Sequence, residues 1–153
     1  MRASHNQRRQ IGSWIIILAL CLFSSLPLQA RGPANTLTVE QAYTQKRSDI
    51  FLEAGGTVIK LLADDNKGSR HQRFLLRLAS GHTVLIVHNI DLVARVPVRP
   101  GDVVQVRGEY EWTDKGGLIH WTHRRTKKNS ERPNDSQQPF LEGWIQWQGK
   151  VYR

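Results

Sequence analysis

Beyond Gly55-Gly56 the period of the apolar residues changes from helical to two, and five separate strand-like runs fit into about 70 residues. Each run is too short to bury its apolar side alone, so the strands must close on one another or be covered. Thr57 to Leu62 is the first run, followed by the turn-rich Asp64-Asp65-Asn66-Lys67-Gly68. His71 to Leu78 is the second: Gln72, Phe74, Leu76 and Leu78 share one face, and His71, Arg73, Leu75 and Arg77 share the other. Ser80-Gly81 leads into Thr83 to Asn89, whose VLIV core is apolar on both faces, as in a central strand. The connection IDLVARVPVRPGD holds Pro97 and Pro100 and cannot be one regular strand. Val103 to Trp112 follows, with Val104, Val106, Tyr110 and Trp112 opposite Gln105, Arg107, Glu109 and Glu111. A hairpin turn at Asp114-Lys115-Gly116-Gly117 then gives Leu118 to His123.

The expected class is mainly β: a small five-stranded OB-like barrel over residues 55–123, with an SH3-like barrel or an open meander as rival arrangements. Gly108, in mid-strand, suits the tight coiling of such a barrel. Before the barrel, residues 31–54 read as an N-terminal α-helix. Val39, Ala42, Tyr43, Ile50 and Phe51 lie close to helical spacing, Thr38 with Gln41 makes a capping box, and Gly55-Gly56 makes a stop. After it, residues 124–139 (RRTKKNSERPNDSQQP) read as a flexible polar loop. Residues 140–153 read as a C-terminal hairpin around Gln148-Gly149, carrying Trp144, Trp147 and Tyr152.

The N-terminus reads as a targeting segment. Arg2, Arg8 and Arg9 form a basic start, Trp14 to Phe23 is an apolar run, and Pro27 precedes a small residue, Ala30, after which a signal peptidase is expected to cut. The alternatives are an uncleaved N-terminal anchor and, less suited because Leu20 precedes Cys21, a lipoprotein. Export to the periplasm or beyond is therefore expected, with no transmembrane span after residue 30. The first 30 residues hold three of the 22 Lys+Arg and none of the 13 Asp+Glu, so the remainder carries 19 − 13 = +6. They also hold the single cysteine, which excludes disulfides and thiolate zinc sites from the exported part. The basic surplus favours anionic partners such as nucleic acid or acidic polysaccharide.

Several runs carry a family resemblance: DDNKGSRHQRF at 64–74, HNID at 88–91, GEYEW at 108–112, GGLIHWTH at 116–123 and GWIQWQGKVY at 143–152. They resemble a bacterial family of short exported proteins catalogued only as a domain of unknown function. The resemblance covers roughly 55–153 and implies no established activity. Members continue HWTH with a histidine and Asp-Pro, and place a further histidine shortly before the GW of the tail. Here Arg124-Arg125-Thr126 follows His123, and Pro139-Phe140-Leu141-Glu142 precedes Gly143-Trp144. That departure weakens a metal reading built on the family's histidines and tilts this chain toward anion binding.

The expected ligand-binding set is His71, Arg73, Arg77, His88, His120, Trp121, His123 and Arg124, because phosphates take basic groups and unpaired bases take flat rings. Trp144 and Trp147 could add rings, and Arg125, Lys127 and Lys128 could add charge. No cofactor is required by this reading. A divalent metal belongs to a rival one, in which His120 joins His71 or His88 and is completed by Asp91 or Asp64. In an extended strand His120 and His123 fall on opposite faces and could share an ion only across a bulge. Asp64-Asp65 with Arg70, Arg73 and Glu109 invites comparison with staphylococcal-type nucleases, but their Asp-x-Pro-Glu signature is absent. No motif for a catalytic nucleophile or a phosphate loop is present. The expectation is an exported binding module for an anionic ligand. The rivals are a metal-dependent hydrolase of phosphodiesters and a structural envelope protein contacting another protein.

Overall fold

The computed structural model describes residues 37–124 and 142–153. The expected signal segment (1–30) and most of the expected polar loop (124–139), including Arg125, Lys127 and Lys128, lie outside the described residues. The chain is mainly β, with one short helix, α1 (Val39–Thr44), and seven strands: β1 (Ile50–Asp65), β2 (His71–Leu78), β3 (Thr83–Asn89), β4 (Val103–Glu111), β5 (Leu118–His120), β6 (Trp144–Trp147) and β7 (Lys150–Tyr152). Five of them close into a ring: β1 pairs with β2, β2 with β3, β3 with β5 in parallel, β5 with β4, and β4 with β1 again. Beyond the end of β5 the same flank of β4 is taken over by β6, which carries the hairpin partner β7.

The helix expected over 31–54 is much shorter among the described residues. Thr38 does cap it, its hydroxyl accepting from the Gln41 N–H while the Gln41 side chain accepts from the Thr38 N–H. It ends at Thr44, and Ile50 and Phe51 belong to β1. Helical spacing misled there because Gly55-Gly56 does not stop a helix but lies in the middle of a 16-residue strand. At Gly56 this strand is shared between two partners, Leu78 of β2 on one side and Val104 of β4 on the other. A Cβ on Gly56 would stand 2.4 Å from the Arg77 carbonyl oxygen, so only glycine lets the strands approach this closely. Register shifts at Val58/Lys60 and Leu62/Asp65 add the coiling that carries β1 from β4 to β2.

The ring encloses Leu52, Val58, Phe74, Leu76, Val84, Ile86, Val104, Val106, Tyr110 and Ile119, and α1 adds Val39 and Ala42. Val96 and Val98, from the connection between β3 and β4, reach the same core. Gln72 holds this connection: its amide donates to the Val96 carbonyl at 2.7 Å and accepts from the Val96 N–H at 3.0 Å, both within the interior. Gln72→Leu keeps the side-chain volume but leaves both Val96 groups buried without a partner. The expected loss is about 2 kcal/mol or more, read as a lower denaturation midpoint with faster hydrogen exchange at the Val96 amide. An unchanged Val96 exchange rate would show that the connection is held by packing alone.

Candidate functional site

The run Gly116 to His123 builds one wall of the site. Its strand ends at His120, because Trp121 turns into the left-handed region at φ 51. A bulky residue in that conformation is uncommon and costs energy that the surroundings must offset. The consequence reverses the expectation from strict alternation: His120 and His123 line the same cavity. The cavity has a volume of about 100 Å³, and its lining is completed by Trp121, His71, Val87 and Asn89. His71 and Asn89 stand opposite each other across β2 and β3. Val87 and His120 follow two residues after the parallel pair Leu85 and Leu118, which places them side by side on the outward face of the ring.

The hairpin register also brings His120 to the acidic face of β4. Glu109 is its direct cross-strand partner, and Glu111 pairs with Leu118 on the same face. The His120 Nε2 atom lies 3.7 Å from a carboxylate oxygen of Glu109 and 3.7 Å from one of Glu111. It is buried and has no hydrogen-bond partner. Burial pushes the Glu111 carboxyl above its ordinary range and the charge of Asp49 adds to this, against a hydrogen bond from Ser48 and the opposite charge of His120.

The other expected site residues stand away from the cavity. Arg73 donates to the Ala63 carbonyl at 2.9 Å. Arg77 is six residues along β2 from His71, roughly 20 Å at the rise of a strand, and is exposed at the far end. Arg124 faces Glu142 at 3.4 Å. His88 is fully buried. Its Nε2–H donates to the Ala94 carbonyl at 3.3 Å, so Nδ1 accepts from the Thr122 hydroxyl at 2.8 Å. Burial holds its pKa down at about 4, with the charges of His123 and His71 adding to the depression and the bonds to Ala94 and Thr122 opposing it.

The metal set expected from His71, His88, Asp91 and His120 is therefore not assembled. Both ring nitrogens of His88 are occupied, and Asp91 accepts from the Arg70 backbone and guanidinium, each at 2.7 Å. Asp64, the other expected acid, pairs with Arg95, while Asp65 caps the turn by accepting from the Lys67 N–H at 3.0 Å. Among the described residues, the three-membered His/carboxylate group with ligand atoms within 4.8 Å of one another is Glu109, Glu111 and His120. Glu111 was not among the expected site residues. Its signal was available as Glu-x-Glu on the polar face of β4, with a hairpin turn that folds the next strand's histidine back onto it.

A family model for a protein of unknown function, DUF3465, matches residues 16–153, nearly the whole chain. The chain belongs to the DUF3465 family. No curated protein matches it. The match takes in every residue of the cavity and of the Glu109–Glu111–His120 group, so both sites of this DUF3465 chain lie within the family's own domain. No helix among the described residues is long and apolar enough to cross a membrane.

Proposed function

We propose that the five-stranded ring is a small barrel of the OB type, and that the chain is an exported binding module for an anionic polymer, nucleic acid or acidic polysaccharide. The observation that carries this is the convergence of three imidazoles, an amide and an indole on one outward cavity of β2, β3 and the end of β5. The strand 2–3 face is where OB barrels take oligonucleotides and oligosaccharides. The strand order, the parallel pairing of β3 with β5 and the long connection after β3 support the barrel assignment. The basic start and the apolar run ahead of Ala30 support export with removal of the first 30 residues.

The imidazoles supply donors to an anionic oxygen, and the Trp121 ring offers a face to a base or sugar. Titration of the protein with a single-stranded oligonucleotide and with an acidic glycan, followed by tryptophan fluorescence, tests the reading. Binding at low salt is expected to weaken as salt is added. Trp121→Ala should weaken it about tenfold. Absence of binding to both polymers at low salt would rule the reading out. A second reading, hydrolysis of phosphodiesters dependent on a divalent metal, draws on the Glu109–Glu111–His120 group alone. It predicts cleavage that a chelator stops.

A further inference from the structure

We infer that Glu109, Glu111 and His120 form a binding site for one divalent cation of the zinc class on the wall of the cavity. The donor set is one imidazole nitrogen and two carboxylates, on adjacent strands whose register fixes them opposite one another. Mixed nitrogen and oxygen donors suit zinc and its neighbours better than magnesium or calcium, which prefer all-oxygen shells. Bonds of about 2.0–2.2 Å at tetrahedral angles separate neighbouring donors by about 3.3 Å. Nε2 stands 3.7 Å from each carboxylate and the three ligand atoms all lie within 4.8 Å of one another, so side-chain movement without a backbone change closes the group onto one ion.

The orientation of His120 is the independent observation. Its Nε2 is buried, lacks a hydrogen-bond partner and lies equally far from the two carboxylates. An atom aimed between two carboxylates is placed as a ligand is placed. The two glutamates, near each other and partly shielded from water, also gain from a shared cation.

Three protein donors leave a fourth coordination position open, and His120 is the donor that also lines the cavity with His71, Asn89 and His123. The inference goes beyond the binding reading and removes a conflict in it: two carboxylates beside His120 repel an anion, and a bound dication cancels their charge.

The test is calorimetric titration of the full chain with ZnCl₂ and no polymer, repeated for Glu111→Gln, His120→Ala and His71→Ala. One Zn²⁺ per chain is expected, weakened more than tenfold by the first two substitutions and by less than threefold in the third. Co²⁺ in place of Zn²⁺ should give a visible absorption band that Glu111→Gln removes. Glu111→Gln keeps the shape of a partly exposed side chain, so it remains informative if His120→Ala fails to fold. Affinity unchanged by Glu111→Gln, or no binding at all, overturns the site. Polymer titrations with and without EDTA separate the two readings. Zinc binding without polymer binding leaves the cation site standing and ends the anion reading, whereas polymer binding unaffected by EDTA in a chain that takes no zinc does the reverse.

Discussion

Gly108→Ala is expected to lower the melting temperature by more than 10 °C and to disorder the end of β5. Alanine in a strand ordinarily improves on glycine, because it narrows the unfolded ensemble. At position 108 the added Cβ would lie 2.2 Å from the His120 carbonyl oxygen, 2.8 Å from Ile119 Cγ2 and 3.1 Å from Thr122 Cγ2. The first of these is backbone and cannot swing aside. On its other flank Gly108 pairs with Leu52 of β1, so β4 cannot retreat without opening that ladder. The remaining escape is for β5 to peel from β4, which breaks the pairs Glu109 to His120 and Tyr110 to Ile119. Overpacking costs about 1–3 kcal/mol and lost ladder bonds add to it, so a loss on the order of 3 kcal/mol is expected. At about 4–8 °C per kcal/mol for a domain of this size, the shift exceeds 10 °C. Gly149→Ala is the control: its added Cβ meets nothing within 4 Å, and its φ of 75 brings backbone strain alone, about 1–2 kcal/mol. A drop of less than 3 °C in the Gly108 variant would mean that β5 tolerates displacement, and with it His120 and the cavity wall.

The strands were legible because their pattern is physical. In β2 the odd positions are polar or partly exposed, the even positions are buried, and the sequence shows the same alternation. Residues 71–78 and the start of β4 could be bounded from residues alone for that reason, and 83–89 from its apolar run after the Ser80-Gly81 turn. The extent of β1 could not: periodicity shows which side chains face inward, not which strand serves two partners, and Gly55-Gly56 is as much a helix stop as a crossing point until β2 and β4 are in place. The cavity was half legible. His71, His120, Trp121 and His123 were named from composition and spacing, but the positive φ at Trp121 that unites the last three residues comes from tertiary packing. Sequence rules therefore sent His120 and His123 to opposite faces. Arg77 and Arg124 were chosen for charge, which a linear reading cannot locate. Glu111 was missed for the converse reason: an acid on the polar face of a strand looks like a solvated residue until a hairpin register sets a histidine beside it.

Stability should fall steeply as pH drops from about 6.5 to 4, and His88 is expected to carry a large part of the fall. In the unfolded chain its imidazole titrates near 6.5, whereas in the folded protein burial holds it down at about 4. Above 6.5 neither state binds the proton and the contribution of His88 is complete. Between the two values the unfolded chain takes a proton that the folded protein refuses, so folding is progressively disfavoured; below about 4 both states are protonated and the loss levels off. A depression from 6.5 to about 4 corresponds to about 3 kcal/mol. The neutral ring is the form the fold accommodates. Its Nε2–H donates to the Ala94 carbonyl and its Nδ1 accepts from Thr122, and these bonds offset only part of what burial costs the charged form. Carboxylates add to the acid loss, since Arg70 holds Asp91 below its ordinary range, and a variant is needed to isolate His88. His88→Gln should be less stable at pH 7.5, yet its stability should change between pH 6.5 and 4 by about 3 kcal/mol less than that of the natural chain. Parallel pH profiles for the two proteins, measured by urea denaturation, would place the acid sensitivity in the surface carboxylates and not in the buried imidazole.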